Sequence, residues 1–151
     1  MNGIKFPGVV TAIAAALIAA PTTAHADEPV PTVDEVLAVL AGLTDPNIPA
    51  EDKTNIVTPG FDPDEAAAID DHLTRMRVFG GILPLPFHVT DIQSAPNNFA
   101  GATVSTGGYY RQITNPHPIV LVDQGGHWLI THDTAMPEMD VIWRASQKFH
   151  G

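Results

Sequence analysis

The segment that decides the fold is DPDEAAAIDDHLTRMRVFGGILPLPFHV, residues 62–89, because its apolar residues change period near Gly81. Upstream they recur every three or four positions, as on one face of an α-helix. Downstream they occupy every second position, as in a strand with one buried face. The helical set is Ala66, Ile69, Leu73, Met76 and Phe79, and the strand set is Leu83, Leu85, Phe87 and Val89. We therefore predict a long helix, followed by sheet that packs against it.

Signals at the ends of these two elements support the assignment. Asp62 is predicted to cap the helix, with Pro63 at its first position and Glu65 at its third. Pro84 and Pro86 both lack a backbone N–H donor. Because N–H groups alternate sides along a strand, the two missing donors are on the same lateral side of this strand. The strand should therefore lie at an edge of its sheet.

A shorter helix is predicted upstream over TVDEVLAVLAG, residues 32–42. Thr32 and Glu35 have the spacing of a capping box, and Gly42 is expected to end the helix in the left-handed conformation. Its apolar stripe is Val33, Val36, Leu37 and Leu40. A turn-rich connection with one short helix near residues 49–57 is expected to follow.

Downstream of the edge strand we predict another strand over residues 100–113 and then a hairpin, IVLVDQGGHWLIT, over residues 119–131. We favour a three-residue loop, Gln124–Gly126, which pairs Val122 with Trp128; a two-residue loop of the glycines alone is the alternative. The favoured register places four residues on one face: Val120, Val122, Trp128 and Ile130. Both hairpin faces are apolar, so the face away from the helices should be covered by further chain, a partner subunit or a ligand.

The last segment, residues 133–151, is predicted to be a C-terminal helix. Asp133 or Thr134 is expected to cap it, with Pro137 in its first turn. Together the elements predict an α+β fold in which N-terminal helices pack on an antiparallel sheet and a further helix follows.

The first 26 residues have the features of a secretory signal peptide. Lys5 is followed by an apolar run over residues 9–20, and Ala24 and Ala26 occupy the small-residue positions before a cleavage site. Cleavage would leave a single domain, residues 27–151, more acidic than the whole chain with its net charge of −10. Such a chain repels phosphate backbones, so we expect no nucleic-acid partner. No second long apolar stretch follows, so no membrane span is expected after the signal is removed.

No residue pattern predicts a catalytic, cofactor or metal site. His127 and His132 lie five apart on one strand and point to opposite faces, so they do not chelate one ion together. The chain has no cysteine and no H-E-x-x-H motif. His132 beside Asp133 is a candidate oriented general base, but we favour a strand end followed by a helix cap.

Four apolar residues are the candidate lining of a ligand pocket between the helices and the sheet: Phe79, Phe87, Trp128 and Ile130. Packing in the core explains the same side chains without a ligand, and we favour it because apolar pockets are few per protein. The four residues mark where a ligand should be sought first.

Three stretches resemble the secreted low-molecular-weight T-cell antigens of mycobacteria, the culture filtrate protein family. They are LAGLTDPNIPAEDKTNIVTPGF, GGILPLPFHVTDIQSA and VLVDQGGHWLITHDTAM, and the resemblance extends over about residues 32–136. The positions that fit are Leu43, Asp45, Pro46, Lys53, Leu83, Pro84, Leu85, Phe87, Val89, Gln124, Gly125, Gly126 and Trp128; His127 is an additional residue in the hairpin. The resemblance implies a cone of helix and curved antiparallel sheet, similar to cystatin-like and nuclear-transport-factor-2-like domains. It also implies export and immune recognition by an infected host, and it supplies no reaction and no catalytic residues.

Three functions are open at this point. The first is an exported, non-enzymatic, antigen-like protein, secreted or cell-wall associated, that binds a small apolar ligand or an envelope partner without a cofactor. The second is a cone-fold enzyme that uses His132 with Asp133 or Asp91. The third is a structural envelope protein that buries its spare sheet face in a homodimer. We favour the first.

Overall fold

The structure, a computed structural model, describes residues 29–80, 83–107 and 114–147; the predicted signal peptide lies outside these ranges. Three α-helices occur within them: α1 (Val33–Leu43), α2 (Pro63–Arg75) and α3 (His132–Gln147). A 3-10 helix covers Ala50–Asn55, and a π-helical turn, Met76–Gly80, continues α2. The strands are β1 (Val57–Thr58), β2 (Phe87–Ala95), β3 (Phe99–Thr106), β4 (His117–Gln124) and β5 (His127–Thr131). In this part of the chain, no helix has both the length and the apolar character needed to cross a membrane.

The strands form one sheet in the order β1-β5-β4-β3-β2. Neighbours are antiparallel except β1, which pairs parallel to β5 through Val57 with Ile130 and Thr58 with Thr131. The α+β class is therefore confirmed, but the sheet is mixed and not purely antiparallel. One buried cluster includes residues from all three helices and from the sheet, among them Leu40, Leu73 and Ile142.

Both predicted helix starts are confirmed, because their caps depend on residues close in sequence. The Thr32 hydroxyl accepts from the Glu35 N–H at 3.1 Å, and the Glu35 carboxylate accepts from the Thr32 N–H at 2.9 Å. Asp62 and Glu65 make the same reciprocal pair at 2.8 and 3.0 Å. Each pair satisfies two donors that the first helical turn leaves free.

The predicted role of Gly42 is wrong. Helix α1 continues to Leu43, so Gly42 lies inside it, and a Cβ at this position would come within 2.6 Å of Ile56 Cδ1. The glycine therefore permits close packing of Ile56 and does not end the helix. The buried stripe of α1 is accordingly shifted toward its C-terminus: Val36, Val39, Leu40 and Leu43 are buried, whereas Val33 is exposed.

The edge position of β2 is confirmed among the described strands, but its predicted start is wrong. The strand begins at Phe87, after Pro84 and Pro86, whose missing N–H groups cannot donate to a neighbouring strand. A bulge interrupts its pairing between Thr90 and Gln93. Bulges of this kind discourage pairing of an edge strand with another chain. In β3, the part of the predicted strand beyond Gly107 lies outside the described residues.

The favoured hairpin register is wrong. Gln124 pairs with His127 and Asp123 with Trp128, so the loop is the two-residue alternative, Gly125-Gly126. Both glycines have positive φ, +64° and +86°, as a type I′ turn requires. The face assignment therefore changes: Trp128 and Ile130 share the buried face with Ile119 and Leu121, whereas Val120 and Val122 lie on the other face.

Replacing Gly126 by valine should lower the free energy of unfolding by about 1–2 kcal/mol, because a β-branched residue is strained at φ +86°. Gly125→Asn is the matched control, since asparagine tolerates the left-handed region and is common in type I′ turns. Urea denaturation of the two variants measures the difference. Equal stability of Gly126→Val and the parent chain would contradict the turn assignment.

The C-terminal helix is confirmed, with an earlier start than predicted. Helix α3 begins at His132, so Asp133 and Thr134 lie in its first turn and do not precede it, and Pro137 lies further inside. The Thr131 hydroxyl donates to the Thr134 hydroxyl at 2.8 Å across this junction. Strand β5 therefore passes into the helix without a connecting loop.

Candidate functional site

The four predicted pocket residues have different surroundings. Ile130 is fully buried in the core, Phe87 is half-buried against it, and Trp128 lines a groove. The side chain of Phe79 lies outside the described part of the structure. Phe87 pairs with Thr106 at one end of β3, whereas Trp128 lies beyond the other end of that strand, so the two aromatic residues are not brought together.

The groove beside Trp128 has a volume of about 210 Å³. It lies between α1 and the hairpin end of the sheet, and its lining includes Ala38, Val39, Ile56 and His127. The His127 ring contacts the Asn55 carbonyl oxygen at 2.6 Å, which ties the hairpin to the 3-10 helix. We call this the Trp128 groove.

A larger groove, about 340 Å³, lies where two stretches of the family resemblance converge. One stretch is the turn after α1, which contains Asp45 and Pro46, and the other is the segment 83–85 that precedes β2. We call this the Pro46–Pro84 groove. Its apolar lining is Ala41, Pro46, Leu83, Pro84 and Leu85. The surface is therefore mainly apolar, as is usual for small-molecule sites.

Lys53 holds the turn that forms one part of this groove. Its side chain is 0% exposed, and Nζ donates to the carbonyl oxygens of Gly42 at 2.7 Å and Asp45 at 2.9 Å. Burial lowers the pKa of Lys53 to about 8, although the charges of Asp45 and Asp70 oppose the shift. The lysine of the family pattern thus has a structural position, joining the end of α1 to the 3-10 helix.

Arg77 supplies a positive charge to the Pro46–Pro84 groove. Its Nη1 donates to Oδ1 of Asn47 at 3.1 Å. The other two arginines in the described ranges, Arg75 and Arg144, each pair with an aspartate four residues earlier at 2.9 Å. Among the described arginines, only Arg77 has no carboxylate within ion-pair distance.

A His–Glu pair with a buried carboxylate and a half-buried imidazole joins β4 to α3, and it was not found from the sequence. His117 Nε2 contacts Oε1 of Glu138, and its Nδ1 contacts the Asn115 carbonyl oxygen at 2.7 Å. Glu138 is 2% exposed, and its Oε2 has no hydrogen-bond partner among the described residues. Burial raises the pKa of Glu138 despite the contact with His117. A sequence signal did exist, because Glu138 lies one helical turn from Ala135 and Ile142 on the buried stripe of α3.

His132 is oriented by a distant carboxylate and not by its neighbour. Its Nε2 lies 2.9 Å from Oε1 of Glu65 on α2, whereas Asp133 Oδ1 is 3.5 Å from Nδ1 and its side chain is fully exposed. The hydrogen bond with Glu65 raises the pKa of His132. The geometry is that of an ion pair between two helices. Within the described ranges, we find no group of three or more His, Asp or Glu residues placed to hold a metal ion.

The sheet face opposite the buried cluster is partly open. Val120 is 40% exposed, and a shallow depression of about 630 Å³ also includes Phe99 and Val122. Part of this face is covered by the chain itself, because Gln124 Nε2 reaches across β5 to the Thr58 hydroxyl at 3.2 Å. Gln124 therefore covers part of this face, and Val120 remains exposed on it.

The family model described as low molecular weight antigen MTB12, C-terminal domain, matches residues 29–141. The chain belongs to this family. It is 36% identical over 107 residues to the low molecular weight antigen MTB12 of Mycobacterium tuberculosis, covering 71% of this chain and 62% of that protein. It is 30% identical over 115 residues to the MTB12 homolog of Mycobacterium leprae, covering 76% and 68%.

A third relative in Mycobacterium tuberculosis is named "Putative lipoprotein LppK"; it is 30% identical over 122 residues, 79% of this chain and 61% of that protein. The chain spans about three fifths of the length of the M. tuberculosis relatives. Membership of the MTB12 family agrees with the resemblance of the three sequence stretches quoted above.

Proposed function

We propose that this MTB12-family domain is an exported, non-enzymatic protein that holds a small apolar ligand in the Pro46–Pro84 groove. The single observation that carries the proposal is the convergence of the turn after α1 and the 83–85 segment on one mainly apolar groove of about 340 Å³. That volume lies in the range of about 300–1,000 Å³ that is typical of small-molecule sites. The proposal includes cleavage of residues 1–26, a mature domain of residues 27–151 and a curved, cone-like sheet.

The anchoring by Lys53 supports a groove that exists before the ligand arrives. Two hydrogen bonds from one buried ammonium fix the Gly42 and Asp45 carbonyls, so the adjoining Pro46 is held in position. A preformed site loses less conformational entropy on binding than a site that must be ordered. The groove is therefore suited to ligands that gain much of their affinity by burying apolar surface.

An exported location is supported by the names of the relatives. The MTB12 proteins are named as antigens and one further relative as a lipoprotein, and both names fit a protein of the envelope or the surrounding medium. The signal-like first 26 residues of this chain support the same location. We accordingly propose that the domain acts outside the cytoplasmic membrane, secreted or associated with the cell wall.

The non-enzymatic part of the proposal is supported by the position of His132. The carboxylate named with His132 in the sequence does not orient its ring as an oriented general base requires. Asp133 is fully exposed and its Oδ1 lies 3.5 Å from Nδ1, and the close contact of the ring is instead an ion pair with Glu65 of another helix. Asp91, the other proposed partner, lies in the bulged edge strand β2, which is not paired with β5 in the sheet order.

Binding of the neutral fluorophore N-phenyl-1-naphthylamine to the purified protein tests the proposal. Ala41 and Ala38 are exposed alanines on α1, and they line the Pro46–Pro84 groove and the Trp128 groove respectively. We expect saturable binding that Ala41→Glu weakens at least tenfold and Ala38→Glu leaves unchanged. If Ala38→Glu weakens binding and Ala41→Glu does not, the ligand binds in the Trp128 groove and the proposed site is wrong. The absence of saturable binding would refute the proposal.

A second candidate function is self-association through the open sheet face, because the large apolar side chain of Val120 is 40% exposed there. If a second copy covers this face, sedimentation velocity should show a dimer that Val120→Asp converts to monomer. A sedimentation coefficient that Val120→Asp does not change would exclude this interface.

A further inference from the structure

We infer that the ligand of the Pro46–Pro84 groove is an anionic amphiphile, with a carboxylate or phosphate head bound by Arg77 and an apolar chain lying along Leu83 and Leu85. This inference rests on the proposed function and adds the chemical class of the ligand. It follows from the charge distribution at the groove.

Arg77 has the capacity to bind such a head group. A guanidinium has five N–H donors in a planar fork that matches a carboxylate or a phosphate. The amide oxygen of Asn47 accepts from one terminal nitrogen at 3.1 Å, and no carboxylate of the described residues pairs with the group. The exposed guanidinium is thus oriented by a neutral partner while its positive charge is not neutralised by an ion pair.

The carboxylate of Asp45 also lies at the groove, but its charge is offset. The attraction between Asp45 and the buried ammonium of Lys53 acts to raise the pKa of that lysine, so the two charges interact. Oδ1 of Asp45 also accepts from the Asn47 N–H at 2.8 Å. The positive charge that remains available to a ligand is therefore that of Arg77.

Because the rest of the chain is acidic, an anionic ligand is expected to bind at this groove in preference to other parts of the surface. The whole sequence has a net charge of −10, so an anionic ligand is repelled by most of the surface. A favourable site for an anion needs a local cation, and an amphiphile also needs an apolar surface beside it. Leu83, half-buried, and Leu85, buried, provide that surface in the same groove as Arg77.

Isothermal titration with four twelve-carbon probes tests the inference, with each ionic probe kept below its micelle concentration and the alcohol below its solubility limit. The probes are dodecanoate, dodecyl phosphate, dodecan-1-ol and dodecyltrimethylammonium. We expect the protein to bind at least one anionic probe at least tenfold more tightly than the alcohol, and the cationic probe least tightly. The preference should decrease as salt is added, because the head-group contact is exposed and therefore screened. The relative affinities for dodecanoate and dodecyl phosphate identify which head group is the better fit.

Arg77→Gln and Arg75→Gln form a matched pair of variants, since both arginines are exposed and lie two positions apart. Arg77→Gln should abolish the preference for anions and retain binding of the alcohol, whereas Arg75→Gln should leave the preference intact. Equal binding of the anionic probes and the alcohol by the parent protein, or equal effects of the two variants, would overturn the inference and leave the proposed function standing. Failure of all four probes to bind would overturn both.

Discussion

Lys53→Ala should lower the free energy of unfolding by about 3–5 kcal/mol, the largest loss that we expect from one substitution in this domain. The side chain is 0% exposed, so its removal leaves a cavity beneath the turn after α1. It also removes charged donors from the Gly42 and Asp45 carbonyls. Urea denaturation followed by tryptophan fluorescence measures the change.

Lys53→Met is the matched control, because methionine keeps the apolar stem and removes the ammonium. The loss should be smaller, about 1–2 kcal/mol, since the variant no longer has to bury a charge. A Lys53→Ala protein within 1 kcal/mol of the parent would show that the lysine does not hold the turn.

The pH dependence of stability separates the contribution of the buried ammonium of Lys53 from that of its apolar stem. The pKa of Lys53 is about 8 in the folded state, against 10.5 for its ordinary value. Between these values the unfolded chain binds a proton that the folded chain does not, so this group makes the folded state more favourable as pH rises. Relative to Lys53→Met, the parent should gain about 3 kcal/mol between pH 7.5 and 10.5. Parallel stability curves over this range would contradict the lowered pKa.

The helices could be predicted closely because their signals are local. The caps at Thr32 and Asp62 depend on residues three positions away, and the core face of α2 follows from its period. The edge position of β2 could also be predicted, since a proline without an N–H restricts pairing wherever it lies.

The hairpin register could not be predicted reliably, because contacts with distant residues bear on it. His127 contacts the carbonyl of Asn55, and Gln124 reaches Thr58, both across more than 60 positions of sequence. The parallel pairing of β1 with β5 likewise joins residues 57–58 to residues 130–131. Periodicity within one segment carries no information on such partners.

The candidate sites were missed for the same reason. The Pro46–Pro84 groove is formed by two stretches almost forty positions apart in the sequence. Taken alone, each stretch predicts only a turn or the start of a strand. Arg77 gives no signal in the sequence, since its significance comes from the lack of a carboxylate partner nearby in space. Lys53 was recognised only as a position of the family pattern, and its burial was needed to assign it a role.

His117→Leu should lower the free energy of unfolding by about 3 kcal/mol at pH 6, because it leaves Glu138 buried with neither oxygen paired. Removing one partner of a buried pair is costly, whereas replacing both by apolar residues is often neutral. The double variant His117→Leu/Glu138→Leu should therefore recover most of the loss. A double-variant cycle by urea denaturation gives the coupling energy directly.

The same pair should make stability depend on pH in the opposite direction from Lys53. Burial opposes protonation of His117, but the contacts with the Asn115 carbonyl and Glu138 outweigh it and raise the pKa of His117. The pKa of Glu138 is raised as well, chiefly by burial. The folded pair thus retains a proton that the unfolded chain has released. The stabilisation from this pair is therefore fully present below the ordinary histidine pKa of 6.5 and is lost as pH rises through the raised pKa of His117 in the folded state.

Outside positions 117 and 138 both proteins carry the same ionisable groups, so charge repulsion within this acidic chain affects their stabilities almost equally. The difference in stability between the parent and the double variant therefore isolates the pH dependence that comes from the His117–Glu138 pair. Between pH 5.5 and 8, the parent should lose stability relative to His117→Leu/Glu138→Leu. The half-buried pair His132–Glu65 is present in both proteins and cancels from the comparison. A stability difference that stays constant over this range would mean that the His117–Glu138 pair exchanges no proton on folding, and the raised pKa values of both groups would then be wrong.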